Sequence, residues 1–150
     1  MENFILQDIY NRGNVIFVED EKVFWENCTG EGKAGVLILC ADAPENETSA
    51  EFLKKIIAAV QLEFGEDTFF RNITPAEKFS LMQICRRQQI QKVLVFGLPL
   101  SGLGFNLDLK FYDIYQNAGF QLLNCESLAL IESDKQRKTA LWQSLKVMFG

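Results

Sequence analysis

The sequence predicts an α/β fold of three layers, α/β/α, with a mainly parallel central sheet, and three observations carry that reading. Strand-like and helix-like segments alternate through the middle of the chain. The run "AGVLILC" (34–40) is apolar without a break, the mark of a strand covered on both faces. Each helix that follows a strand opens on a start signal, "TSAE" (48–51) and then "TPAE" (74–77). A β-α-β-α-β series of this kind implies a parallel sheet with right-handed crossovers and helices on both faces.

Taken in order, residues 2–11 read as a short helix with Leu6, Ile9 and Tyr10 on one face and Gly13 beyond its end. "NVIFVED" (14–20) reads as a strand. After the 34–40 strand, Thr48 and Glu51 have capping-box spacing, and the helix they open carries Phe52, Leu53, Ile56, Ile57 and Val60 on one face. "DTFFRNI" (67–73) is the second strand of the unit. The next helix runs from the "TPAE" signal to about Gln89, with Arg86 and Arg87 near its C-terminal end, where the helix dipole favours cations. "KVLVFG" (92–97) is the third strand. "KFYDIYQ" and "FQLLNC" flank Asn117-Ala118-Gly119 as a hairpin. In the closing helix, Leu141, Trp142, Leu145, Met148 and Phe149 share a face. Ser133 and Gln136 are spaced to cap it, and Lys135, Arg137 and Lys138 face outward.

Composition narrows the function. At 150 residues, with 48% hydrophobic and 23% charged residues, the chain is read as one globular domain, 1–150, able to bury a core. A net charge of −5 and a pI of about 4.8 speak against autonomous nucleic-acid binding, because proteins that neutralise phosphates are usually basic. No stretch approaches the roughly 20 apolar residues of a membrane span. The opening "MENFILQDIYNRGN" does not read as a signal peptide, so a cytoplasmic protein is expected.

Histidine is absent, which removes the commonest general base and the commonest metal ligand. The four cysteines, Cys28, Cys40, Cys85 and Cys125, form no CxxC pair, so no metal site or cofactor is expected and the thiols read as reduced core residues. "GLPLSGLG" (97–104) lies where open sheets often bind ligands, yet it has neither a P-loop lysine nor dinucleotide-fingerprint spacing. It reads as a structural turn, with small-ligand binding as the alternative. "ADAPENE" (41–47) places Asp42, Glu45 and Glu47 after the first sheet strand. A solvated acidic turn is the plain reading. A hydrolase using Asp42 or Glu45 to activate water is the alternative. Phe4, Tyr10, Phe24 and Trp25 lie toward the N-terminus, in a segment suited either to docking or to packing on its own domain.

The most distinctive stretch is "CESLALIESDKQRKTALWQSL" (125–145). It resembles the closing motif of the psi subunit of the bacterial DNA polymerase III holoenzyme. That motif has a strand, a Ser/Pro-x-Leu element, a polar break, and a helix reading basic-x-x-Leu-Trp-x-x-Leu. Here its places are taken by 121–124, Ser127 and Leu128, Ser133 and Asp134, and Lys138 with Leu141, Trp142 and Leu145. "NFILQDIYNRGNVIF" (3–17) resembles the family's N-terminal segment more loosely.

The resemblance implies a uracil-DNA glycosylase-like fold. The catalytic glycine and histidine of the iron–sulfur glycosylases are replaced, at Ala41-Asp42-Ala43-Pro44-Glu45 and at Cys125-Glu126-Ser127. It therefore implies a non-catalytic replisome adaptor, with no catalytic residues of its own. Its partners would be clamp-loader subunits, docked through Phe4, Ile5, Ile9 and Tyr10 within 1–13, and a chi-like subunit bound by the folded body.

Overall fold

The computed structural model describes residues 21–41, 47–73, 78–105, 108–116 and 119–150; for Glu21, Glu47, Thr48, Ser49 and Arg87 it describes the backbone alone. The helix and strand expected over 2–20, and with them Phe4, Ile5, Ile9 and Tyr10, lie outside the described residues.

The sheet is built on the two most apolar strands. β1 (Val36–Cys40) is buried at every position, and β3 (Lys92–Phe96) at all but its first. Around them the order is β2-β1-β3-β5-β4, where β2 is Thr68–Asn72, β4 is Ile114–Gln116 and β5 is Gln121–Cys125. β1 runs parallel to both β2 and β3, and β5 runs parallel to β3. The three-residue β4 lies antiparallel on β5, as the hairpin reading requires. The chain leaves β1 toward one edge and returns to β3 on the other side. The carboxyl ends of these strands are thus the place where open α/β sheets form crevices.

Alternation along each strand divides the apolar residues between two faces. On the first, Leu37, Leu39, Val93, Val95 and Leu122 pack with Phe24 of α1 (Glu21–Glu26), with Phe79, and with Leu81, Ile84 and Cys85 of α3 (Leu81–Gln88). On the second, Val36, Ile38, Leu94, Phe96 and Leu123 meet three helices. These are α2 (Glu47–Ala59), α4 (Leu128–Glu132) and α5 (Lys135–Phe149). The expected three-layer α/β/α architecture, with a mainly parallel sheet of five strands, is present. Among the described residues no helix is long and apolar enough to cross a membrane.

Three helix starts differ from expectation. α2 begins at Glu47, so Thr48 falls inside the first turn instead of capping it. α3 begins at Leu81: Phe79 (2% exposed) turns into the core and residues 78–80 are non-helical, while the "TPAE" signal at 74–77 lies outside the described residues. Ser80 then caps the helix, its hydroxyl accepting from the Gln83 amide at 3.5 Å. α5 is capped by Asp134 and not by Ser133; the Asp134 carboxylate accepts from the amides of Gln136 at 2.8 Å and Arg137 at 3.2 Å. A carboxylate at this end also complements the helix dipole.

A feature absent from the sequence reading is a strap over residues 28–34 that closes the outer edge of β2. Thr29 and Phe70 exchange backbone hydrogen bonds at 2.9 and 2.8 Å, and the amides of Glu31, Lys33 and Ala34 donate to Gly65, Glu66 and Asp67. Gly30 permits this approach. Its φ is +97°, and a Cβ there would stand 2.1 Å from the Thr68 carbonyl oxygen.

Candidate functional site

The carboxyl ends of β1, β3 and β5 are level, with Cys40 opposite Phe96 and Phe96 opposite Cys125. One residue further, Ala41 and Gly97 continue the ladder, donating to the carbonyls of Phe96 at 3.0 Å and Cys125 at 2.9 Å. A Cβ on Gly97 would lie 3.2 Å from Ser127 Cβ and 3.4 Å from Ala41 Cβ. Small residues therefore close the crevice at this point. Ser127 is committed locally, its Oγ accepting from the Leu130 amide at 3.4 Å to cap α4, while Leu128 is buried behind it. Asp42 and Glu45 lie outside the described residues.

Glu126, next to this edge, is held from two sides. Its Oε1 accepts from the Tyr112 hydroxyl and from Arg137 Nε, each at 2.9 Å. Arg137 also donates through its terminal nitrogen to Asp134. Tyr112 is fixed in turn, its amide donating to the Asn124 carbonyl and its own carbonyl accepting from Ser144 Oγ, both at 2.6 Å.

Burial, and then the hydrogen bond to Glu126, push the Tyr112 phenol above its ordinary value. The Asp134 carboxyl is held below its own, chiefly by the Arg137 amide. At neutral pH the Tyr112 phenol is thus protonated and the Asp134 carboxyl ionised beside the Arg137 guanidinium. It ties β5, α4 and α5 to the 110–113 loop. Arg137 was expected to face outward for solvation; the two carboxylates draw it in. The Asp134–Arg137 pair has i,i+3 spacing that the sequence displayed, but the approach of Tyr112 is tertiary and had no local signal.

The glycine loop is filled by its own side chains. Leu100–Leu103 forms a 3₁₀ turn, and Leu98, Leu100 and Leu103 are all buried in the first-face core. No disulfide joins the four cysteines, of which Cys40, Cys85 and Cys125 are buried and Cys28 is partly so. Among the described residues no group of three His, Cys, Asp or Glu is disposed to hold a metal ion.

The remaining residues singled out in the closing segment divide between core and surface. Leu141 (0% exposed) and Leu145 (1% exposed) are core residues, whereas Trp142 is only half-buried. Trp142 was expected to be a core anchor. It packs against the second-face core without being fully buried, and its outer side lines a groove of about 610 Å³ with Val60, Leu145, Lys146 and Phe149, at the place where α5 passes the end of α2. Lys138 extends to α2, its Nζ 5.8 Å from the centroid of Phe52. A second groove of about 470 Å³ lies between α3 and the hairpin, lined by Met82, Arg86, Tyr115 and Phe120. Phe24 and Trp25, read as either docking or packing residues, pack on the domain itself; Phe24 is fully buried and Trp25 stacks edge-on to it at 5.1 Å.

Fold and site together define an α/β protein whose carboxyl edge is tied down by a Tyr–Glu–Arg–Asp network. No family model matches the chain, and no curated protein matches it in sequence.

Proposed function

We propose that the protein is a non-catalytic adaptor of the bacterial replisome, similar to the psi subunit of DNA polymerase III, on a uracil-DNA glycosylase-like scaffold in the cytoplasm. It links the clamp loader to other replication proteins, a chi-like subunit among them. The observation that carries this reading is Glu126. By the resemblance it follows Cys125, which takes the place of the glycosylase's catalytic histidine, and its Oε1 is occupied by Tyr112 and Arg137 at 2.9 Å each. A carboxylate held in this way favours a structural role over base chemistry.

The closing motif supports the same reading. Its Ser caps one helix, its Asp caps the next, and its three leucines, Leu128, Leu141 and Leu145, enter the core. By the resemblance, Phe4, Ile5, Ile9 and Tyr10 dock on the clamp loader.

Affinity purification of the tagged chain from its native cells tests the proposal. Clamp-loader subunits are expected in the eluate, and they should be lost when Phe4, Ile5, Ile9 and Tyr10 are replaced by Ala. An eluate without replication components would overturn the reading. So would release of uracil from a single-stranded oligonucleotide that is abolished by Asp42→Asn.

A further inference from the structure

We propose that the groove between the end of α2 and the outer side of α5 docks an acidic amphipathic helix of a partner protein, with an apolar anchor seated against Trp142. This goes beyond the adaptor reading and does not depend on binding to the clamp loader. The groove measures about 610 Å³ and offers Val60, Leu145, Trp142 and Phe149 as apolar lining, enough room for one or two large side chains. A half-buried Trp beside a partly buried Phe is an apolar surface that a monomer gains by covering.

Charge identifies the kind of occupant. Lys138, Trp142 and Lys146 follow one another at intervals of four, so a cation stands one helical turn to either side of the indole. A third, Lys92, reaches the far end, with Nζ 4.8 Å from the centroid of Phe149. In a chain of net charge −5, α5 carries four cations and no Asp or Glu. Arg137 is engaged by Glu126 and Asp134, whereas Lys138 and Lys146 form no ion pair with a described carboxylate. Cations bracketing an apolar trough complement a helix with acidic flanks and a Leu, Phe or Trp at its centre, the helix-in-groove mode of recognition. A nucleic acid also carries the complementary charge. The acidic chain repels a long polyanion, however, and the apolar side chains of Val60, Trp142 and Phe149 in the groove favour an apolar anchor over a phosphate backbone.

The test uses a phage-displayed library of peptides of roughly 16 residues, about four helical turns, panned on the intact chain. Selected peptides should combine Asp or Glu with an apolar anchor at helical spacing. In a Trp25→Phe background, the best of them should shift the emission of Trp142 to the blue. Their affinity should fall about tenfold or more in Lys138→Glu/Lys146→Glu and should weaken with added salt. Lys33→Glu makes the same kind of charge change on the far strap and should leave binding within about twofold. Selected peptides without acidic bias would overturn the proposal, as would equal binding to the double variant or an equal loss in Lys33→Glu. Tighter binding of oligothymidylate than of any selected peptide would assign the surface to nucleic acid and overturn it as well.

Discussion

A cation in the first turn of a helix opposes the dipole unless a carboxylate answers it, and Arg137 is answered by both Asp134 and Glu126. The arrangement has a pH signature. The Asp134 carboxyl is depressed below its ordinary 3.8 by amide donors that exist only in the folded helix. Its contribution to stability is therefore complete above that value and is lost as pH falls through the lower, folded value. Comparing urea midpoints of the wild type and Asp134→Asn across the acid range checks this. The gap between them should be constant near neutrality and should narrow below about pH 4. Trp142 and Leu145 make a second contrast on the same helix. Leu145→Ala empties a buried core site and should cost about 2–5 kcal/mol. Trp142→Ala removes a partly exposed side chain and should cost about 1–2 kcal/mol in the same denaturation assay.

At the scale of elements, two devices position the layers. Ser80 sets the start of α3 after Phe79 has entered the core, and at 3.5 Å its cap is a long one. Ser80→Ala should therefore lower stability only by about 0.5–1 kcal/mol. The strap over 28–34 leans on Gly30, where any side chain meets both a positive φ and the Thr68 carbonyl. Gly30→Ala should cost about 2 kcal/mol or more and should speed amide exchange at Phe70 beyond the rest of the sheet.

These elements also show how far the sequence could be read. β1, β2, β3 and β5 were legible because runs such as Val36–Cys40 declare burial on both faces without reference to anything distant. The start of α3 was not. Residues 78–80 interrupt the expected helix where Phe79 enters the core, a tertiary demand that no local rule registers. The strap was missed for a similar reason, since its hydrogen bonds join residues some forty apart, as in Thr29 and Phe70. In the candidate site, the apolar face of α5 was visible as spacing, whereas α4 and its Ser127 cap were not read from the sequence. The Tyr112–Glu126 bond, and the partial exposure of Trp142 at the end of α2, depend on how helices and loops lie across the sheet.

For the whole molecule, closure of the two apolar faces governs access to the thiols. Burial pushes the Cys40 and Cys85 thiols up to about 12, and Cys125 is raised for the same reason. Near pH 8 they are protonated as well as enclosed. Ellman's reagent should thus titrate at most one cysteine, Cys28, in the native protein and all four in denaturant; prompt reaction of two or more in buffer would contradict the core described above. The order of the sheet also bears on how the chain is made. β3 joins β1, begun 56 residues earlier (36 to 92), to β5, begun 29 residues later (92 to 121). The second face receives Leu141, Leu145 and Met148 only with α5. During translation, therefore, a ribosome-bound chain that has already paired β1, β2 and β3 still shows Ile38, Leu94 and Phe96 beneath an incomplete helical layer. Such an intermediate is a natural client for a chaperone until the final turns of α5 have been synthesised.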